Sequence, residues 1–124
     1  MHLTQVALYA EDLSRARRFY EQLLGTPATA EFSPPGLLFF DLGGVRLLLD
    51  FNAPHSMLYL HVDDVRTTAA SLPEGGTLVG EPHEIFRHED DALGPAGTEE
   101  WQAFFTDTEG NTVGLVSHHP VTST

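Results

Sequence analysis

The sequence predicts an α+β protein made of two βαβββ modules that form a curved mixed sheet. Three observations predict it. An alternating stretch that ends in two acidic residues and runs into a helical pattern occurs twice, at Gln5 to Asp12 and again at Met57 to Asp64, 52 residues later. A glycine-bearing turn followed by a second alternating stretch also occurs twice, in Leu42-Gly43-Gly44 through Leu49 and in Thr108-Glu109-Gly110 through Leu115, with Gly44 and Gly110 66 residues apart. The larger second offset requires an insertion in the second half, and the polar segment 82–100 is the natural place for it.

From Leu3 to Ala10, Val6, Leu8 and Ala10 fall on one side and Gln5, Ala7 and Tyr9 on the other, the period of a strand. Asp12 is placed to cap a helix in which Leu13, Ala16, Phe19, Tyr20, Leu23 and Leu24 recur at helical spacing. Gly25 stops that helix, and Pro27 follows. Residues 31–36, with Pro34-Pro35-Gly36, read as a loop, and Leu37 to Asp41 and Val45 to Phe51 as a hairpin around Gly43-Gly44. In the second half, Leu58, Leu60 and Val62 face one way and Met57, Tyr59 and His61 the other. A short helix from about Asp64 to Leu72 is stopped by Pro73 and Gly75-Gly76, and a strand lies near Thr77 to Gly80. Segment 82–100 reads as a long loop or an irregular hairpin, and Trp101 to Asp107 and Asn111 to Ser117 as the last hairpin. The chain is thus expected to be one domain, with modules at about 1–52 and 56–117 and a tail at 118–124.

Composition narrows the function classes. All 6 basic residues are arginine, against 18 acidic residues, which argues against sequence-independent nucleic-acid binding. No apolar run approaches the length of a bilayer span, and the alternating N-terminus has no basic start, so neither a membrane partner nor a signal peptide is expected. Without cysteine, disulfides, thiolate chemistry and cysteine zinc sites are excluded, and a cytoplasmic location is the expectation. The acidity serves solubility, and it would also favour a cationic small molecule in a cleft. No serine sits in a nucleophile-elbow context, so hydrolase chemistry has no support.

Three stretches carry a resemblance: Val6-Ala-Leu-Tyr-Ala-Glu-Asp12-Leu13 through Phe19-Tyr20 and Leu24-Gly25; Leu60-His-Val-Asp63-Asp64; and Ala103-Phe-Phe-Thr-Asp107-Thr-Glu-Gly110-Asn111. In this order and spacing they resemble the vicinal oxygen chelate superfamily, which includes glyoxalase I, methylmalonyl-CoA epimerase, ring-cleaving dioxygenases and the bleomycin-resistance proteins. The resemblance covers nearly the whole chain. It implies a homodimer whose ligand cleft is shaped by both modules and, as often in relatives, by the second subunit. In metal-dependent members four inward side chains hold a divalent ion, one at the start and one in the last strand of each half. By motif position these fall on Gln5, Leu48, Met57 and Gly114. A one-residue slip puts Leu47 or Leu49 in place of Leu48. Only Gln5 offers an oxygen donor; Leu48 has no donor atom, Gly114 has no side chain, and the Met57 thioether suits copper(I) better than zinc or magnesium. The expectation is therefore no metal at these positions and no cofactor.

Strand alternation turns Gln5, Ala7, Tyr9, Arg46, Leu48, Asp50, Met57, Tyr59, His61, Thr112 and Gly114 toward the concave side. This mixture of aromatic, apolar and few polar groups is the profile of an organic-ligand pocket, though it also lines curved sheets and subunit contacts. The candidate ligand-binding residues are Gln5, Tyr9, Arg46, Leu48, Asp50, Met57, Tyr59, His61, Trp101 and Gly114. Gln5, Asp50 and His61 would set orientation, and Tyr9 and Tyr59, read as equivalent positions of the two halves, would stack on a planar ligand. Trp101 and Phe105 share one side of their strand and Phe104 takes the other; the sequence does not decide which side is concave. No catalytic residue is assigned.

Two function classes follow. The first is a metal-independent small-molecule-binding protein of the bleomycin-resistance type. It would sequester a bulky aromatic or cationic compound such as an antibiotic and release it unchanged, without being an enzyme. The alternative is a lyase or isomerase of the glyoxalase or epimerase type, acting on a small carbonyl substrate with His61 or Asp50 as base. His83, Glu84, His88, Glu89, Asp90 and Asp91 crowd one segment, but the spacing of its histidines and the surrounding Pro and Gly favour a solvated acidic loop over a relocated metal site. His118-His119 is assigned to the tail.

Overall fold

Each half opens on a strand because its alternating residues have a core side and an open side. The computed structural model describes residues 1–121. The first module runs β1 (Gln5–Tyr9), α1 (Leu13–Leu24), β2 (Ala30–Phe32), β3 (Leu37–Asp41) and β4 (Arg46–Asp50). The second runs β5 (Met57–His61), α2 (Val65–Ala70), β6 (Thr77–His88), β7 (Thr98–Thr106) and β8 (Thr112–Pro120). The strand orders are β1-β4-β3-β2 and β5-β8-β7-β6. In both sheets the first strand pairs parallel with the last and the other pairings are antiparallel. The fold is the predicted α+β arrangement of two βαβββ modules, with two four-stranded mixed sheets.

The register also corrects one equivalence. Ala7 pairs with Leu48 as Tyr59 pairs with Gly114, and Tyr9 pairs with Asp50 as His61 pairs with Val116. Tyr59 therefore corresponds to Ala7, and Tyr9 to His61. The two tyrosines, 50 residues apart, are one strand repeat out of step with the 52-residue offset of the modules.

Local signals account for the helices. The Asp12 side chain accepts the Arg15 N–H at 3.1 Å and caps α1. Gly25, at φ 69°, donates its N–H to the Glu21 carbonyl and ends it, a conformation that suits glycine. The helix buries Ala16, Phe19 and Tyr20. In α2, Asp64 accepts from Arg66 N–H, and the buried Ser117 hydroxyl on β8 accepts the Val65 N–H at 3.1 Å.

Three boundaries differ from the sequence reading. Residues 30–32 form β2, too short to show a period within the expected loop. Segment 82–100 is the irregular hairpin, since β6 continues to His88 and β7 begins at Thr98. Register shifts between Val79 and His83 and between Glu84 and Phe86 erase the period of two there. The expected tail is also shorter: β8 extends to Pro120, placing His118 and His119 in the sheet. The remaining tail positions 122–124 lie outside the described residues.

The core lies on the helix side of both sheets. Leu8, Leu38, Phe40, Leu47 and Leu49 meet Ala16, Phe19 and Tyr20, while Ala103, Phe105, Val113 and Leu115 meet Val65. Helix α1 also joins the modules: its Phe19 ring lies 5.9 Å from Phe105, and its Tyr20 hydroxyl donates to Asp107 at 2.5 Å. Burial, followed by the Asp107 carboxylate, pushes the Tyr20 hydroxyl far above the ordinary tyrosine range, so it stays a donor. Tyr20→Phe should cost about 1–2 kcal/mol, the loss of one bond to a charged acceptor that still holds Asn111. A urea unfolding curve with a lower midpoint and unchanged slope would report that.

The turn between β7 and β8 carries the rest of the inter-module bonding. Glu109 accepts from the N–H groups of Glu11 and Asp12, both at 2.9 Å, and from Arg15 Nε at 2.8 Å. Burial alone would raise its pKa; the Arg15 guanidinium, the Asp12 N–H and the Thr108 hydroxyl together outweigh burial and hold the carboxyl below its ordinary 4.5. A depressed carboxylate contributes stability that is fully present above the unfolded value and is lost as pH falls through the folded one. Stability should therefore decline on acidification below about pH 4.5, and Glu109→Gln should flatten that branch. Unfolding midpoints across the acid range check this; an equally steep branch in the variant would contradict it.

Candidate functional site

The faces of the two sheets turned away from the helices are lined in rows. On the first sheet the rows are Gln5, Arg46 and Asp41; Ala7, Leu48 and Phe39; and Tyr9, Asp50 and Leu37. On the second they are Met57, Thr112 and Thr106; Tyr59, Gly114 and Phe104; and His61, Val116 and Gln102. These faces hold most of the exposed large apolar side chains. Phe32 and Phe51 stand on the first, and Met57, Tyr59, Val79 and Phe86 on the second.

The positions that correspond to family metal ligands do not fit a divalent ion. The Gln5 carbonyl oxygen accepts from Arg46 Nε at 3.0 Å, so a fixed positive charge stands where a cation would approach. Leu48 is buried and offers no donor atom, and the Met57 thioether is half exposed. At Gly114, an added Cβ would lie 2.6 Å from Tyr59 Cδ2 and 3.1 Å from Phe104 Cε1. The space a ligand side chain needs on β8 is filled by two aromatic rings, packed edge to face with centroids 5.8 Å apart.

The candidate residues fall into two groups rather than one. On the first sheet, Arg46 bonds Gln5 and lies over the Phe39 ring at 5.8 Å. Tyr9 packs against His55 at 4.5 Å and Phe51 at 5.8 Å, and Asp50 turns its carboxylate to the Asn52 N–H at 2.9 Å. On the second, Met57, Tyr59 and His61 line β5 beside Gly114, with the His61 ring 5.3 Å from His118. Trp101 joins neither group. It has the parity of buried Ala103 and Phe105, packs on the core, and carries the Arg66 guanidinium 4.7 Å over its ring. Its fluorescence is therefore a poor reporter of the open face. Phe104 lies on the open face across from Gly114, a side that only the ladder register could have assigned.

A cavity of about 620 Å³ lies elsewhere, on the helix side where β1 and β5 approach the end of α1. Val6, Leu23, Leu24, Leu58, Leu60 and Leu115 line it, with Tyr59 and His61 on its border. Alternation assigns faces, not gaps between elements, so no local pattern pointed to it.

Paired βαβββ modules with a cleft-forming face define a class of fold in which divalent-ion chemistry and plain ligand binding both occur. The chain belongs to the Glyoxalase/Bleomycin resistance protein/Dioxygenase superfamily, whose family model matches residues 2–115. Among solved structures it is similar to a glyoxalase/bleomycin resistance protein from Albidiferax ferrireducens T118, with 20% identity and a TM-score of 0.66, over 93% of this chain and 98% of that one. It is similar to TnmS3, an antibiotic binding protein from Streptomyces sp. CB03234, with 23% identity and a TM-score of 0.70, over 96% and 97% of the two chains. A third likeness is to UcmS2, with 21% identity and a TM-score of 0.69, over 94% and 97%. At these identities the likeness establishes the fold alone. A comparison with curated proteins finds no match. Among the described residues, no helix is long and apolar enough to cross a membrane.

Proposed function

We propose that the chain binds a bulky, planar organic compound on the open face of its second module, needs no metal ion at the family positions to do so, and releases the compound unchanged. The observation that carries this reading is Gly114, where the place of a metal ligand is closed by Tyr59 and Phe104. Tyr59 remains 53% exposed, which leaves an aromatic surface free to stack on a ligand. The antibiotic-binding description of TnmS3 supports the same ligand class, and the net charge of −12 favours a cationic member of it. Gln5, Arg46 and Asp50, on the other sheet, reach such a ligand only if a first module closes over a second one.

The chain is on this reading a homodimer, because a single copy leaves Phe32, Phe51, Met57, Tyr59, Val79 and Phe86 uncovered on its open faces. Patches of that kind mark association or ligand surfaces. Sedimentation should give twice the 13.6 kDa chain mass.

Titration with a glycopeptide, an enediyne and an anthraquinone antibiotic, in the presence of a chelator and read on the ligand's own signal, tests the function. Saturable binding of one of the three, with the compound recovered at unchanged mass, is the expected result. Conversion of the compound would point to the lyase or isomerase class, and no saturable binding of any of them would sink the antibiotic reading.

A further inference from the structure

The second sheet brings together three side chains that the sequence reading divides between the polar segment 82–100 and the tail. His88 ends β6, Glu100 lies in β7, and His118 lies in β8, directly across from Glu100 in the ladder. All three have the parity of the open face, at the end of the sheet beyond His61 and Gln102. Their ligand atoms lie within 4.8 Å of one another. Glu100 Oε1 is 2.9 Å from His88 Nε2 and 3.2 Å from His118 Nε2. His88 and Glu100 are 4% and 7% exposed, so this is not a surface scatter of polar groups. We propose that His88, Glu100 and His118 form a binding site for a divalent transition-metal ion of the zinc type, separate from the family's metal positions.

Four features support it. The donor set is two imidazoles and one carboxylate, which suits zinc, cobalt(II) or iron(II) and not calcium or magnesium, which prefer all-oxygen shells. The spacing fits too: a tetrahedral ion with bonds of about 2.0 Å has ligand atoms about 3.3 Å apart. The Glu100 separations of 2.9 and 3.2 Å need only a small expansion to reach that, and the imidazole pair lies within 4.8 Å. The carboxylate is also held in place from behind, since Gln102 Nε2 donates to the other oxygen of Glu100 at 2.7 Å, the kind of outer support that metal carboxylates have. Finally, the loop between β6 and β7 closes over the imidazoles with a glycine. It is pinned by bonds from Gly97 N–H to the His88 carbonyl and from Val121 N–H to the Gly97 carbonyl, at 2.8 and 3.1 Å. It presents Gly94 to the imidazoles, where a Cβ would stand 2.8 Å from His88 Nε2 and 3.0 Å from His118 Nε2. A side chain at 94 would have to push the two imidazoles aside.

With three protein ligands the ion would keep an open position for water or a ligand atom. The inference does not depend on the drug-binding reading. Its test contains no drug, so the two can fail separately. The full chain is stripped with chelator, dialysed metal-free and titrated with cobalt(II), read by its visible absorption. The expected result is one ion per chain with the bands of a four- or five-coordinate site, displaced by zinc. His118→Gln and Glu100→Gln should weaken binding at least about 100-fold, since even an outer partner of a ligand is worth 10–100-fold. Gly94→Ala, which removes no ligand, should weaken it at least about tenfold by displacing the two imidazoles. Circular dichroism checks that the variants fold. Should they not, the wild-type chain decides by NMR: zinc must shift the ring signals of His88 and His118 to saturation at one equivalent. Less than one ion per chain, ring signals that do not move, or affinity unchanged in folded His118→Gln and Gly94→Ala would overturn the proposal and leave a hydrogen-bonded trio only.

Discussion

Replacing Asn111 with alanine is expected to destabilise the chain by about 3–4 kcal/mol, because the groups it bonds lose a partner. Asn111 is fully buried in the turn that opens β8. Its Nδ2 donates to the Tyr9 carbonyl at 2.7 Å and to Asp107 at 2.9 Å, and its Oδ1 accepts from Tyr9 N–H and Ser56 N–H, each at 3.2 Å. One side chain thus joins the end of β1, the entry to β5 and the β7–β8 turn. Each buried polar group left unpaired costs about 1–3 kcal/mol, but Tyr9 and Ser56 are only partly buried and water can reach them, so the total falls below the sum. Asn111→Asp should be no better, because it turns the donor toward Tyr9 carbonyl and Asp107 into an acceptor. Urea unfolding of both variants checks this; a loss under about 1 kcal/mol would mean that the modules are held together without this residue.

Tyr59→Ala is expected to weaken the binding of a planar antibiotic at least about tenfold, from a stacking contribution of about 0.5–1.5 kcal/mol added to the apolar area lost. The fold should barely change, since Tyr59 is half exposed and its ring rests on Gly114 and Phe104 rather than in the core. Gly114→Val should act in the same direction by another route. Its Cβ would displace the Tyr59 ring instead of deleting it. Isothermal titration of the two variants with whichever antibiotic the wild type binds separates the possibilities. Unchanged affinity in both would place the ligand away from Tyr59 and contradict this reading.

The repeat made the architecture legible because alternation and helical spacing are local. β1, α1, β4, β5 and α2 follow directly from Val6 and Leu8, from Phe19 and Tyr20, and from the caps Asp12, Gly25 and Asp64. The irregular β6 was not, since its register shifts break the period that marks a strand. The candidate site was legible one residue at a time and not as a set. Parity put Tyr59, Met57 and His61 on the open face, but the side on which Trp101 falls is fixed by ladder register with β8, which no local pattern encodes. Pairings of distant residues stayed hidden for the same reason. Asn111 with Tyr9, Glu109 with Arg15, and Glu100 with His88 and His118 depend on strands meeting that are far apart in the chain.

The most direct measurement of the central claim is a crystal structure of the chain grown with cobalt(II) and a bound antibiotic, with anomalous scattering recorded for the metal. The account predicts the planar part of the compound against Tyr59 and Phe104, with no anomalous peak beside Gln5 Oε1. A cobalt ion coordinated by Gln5, or a compound bound with Tyr59 left bare, would contradict it.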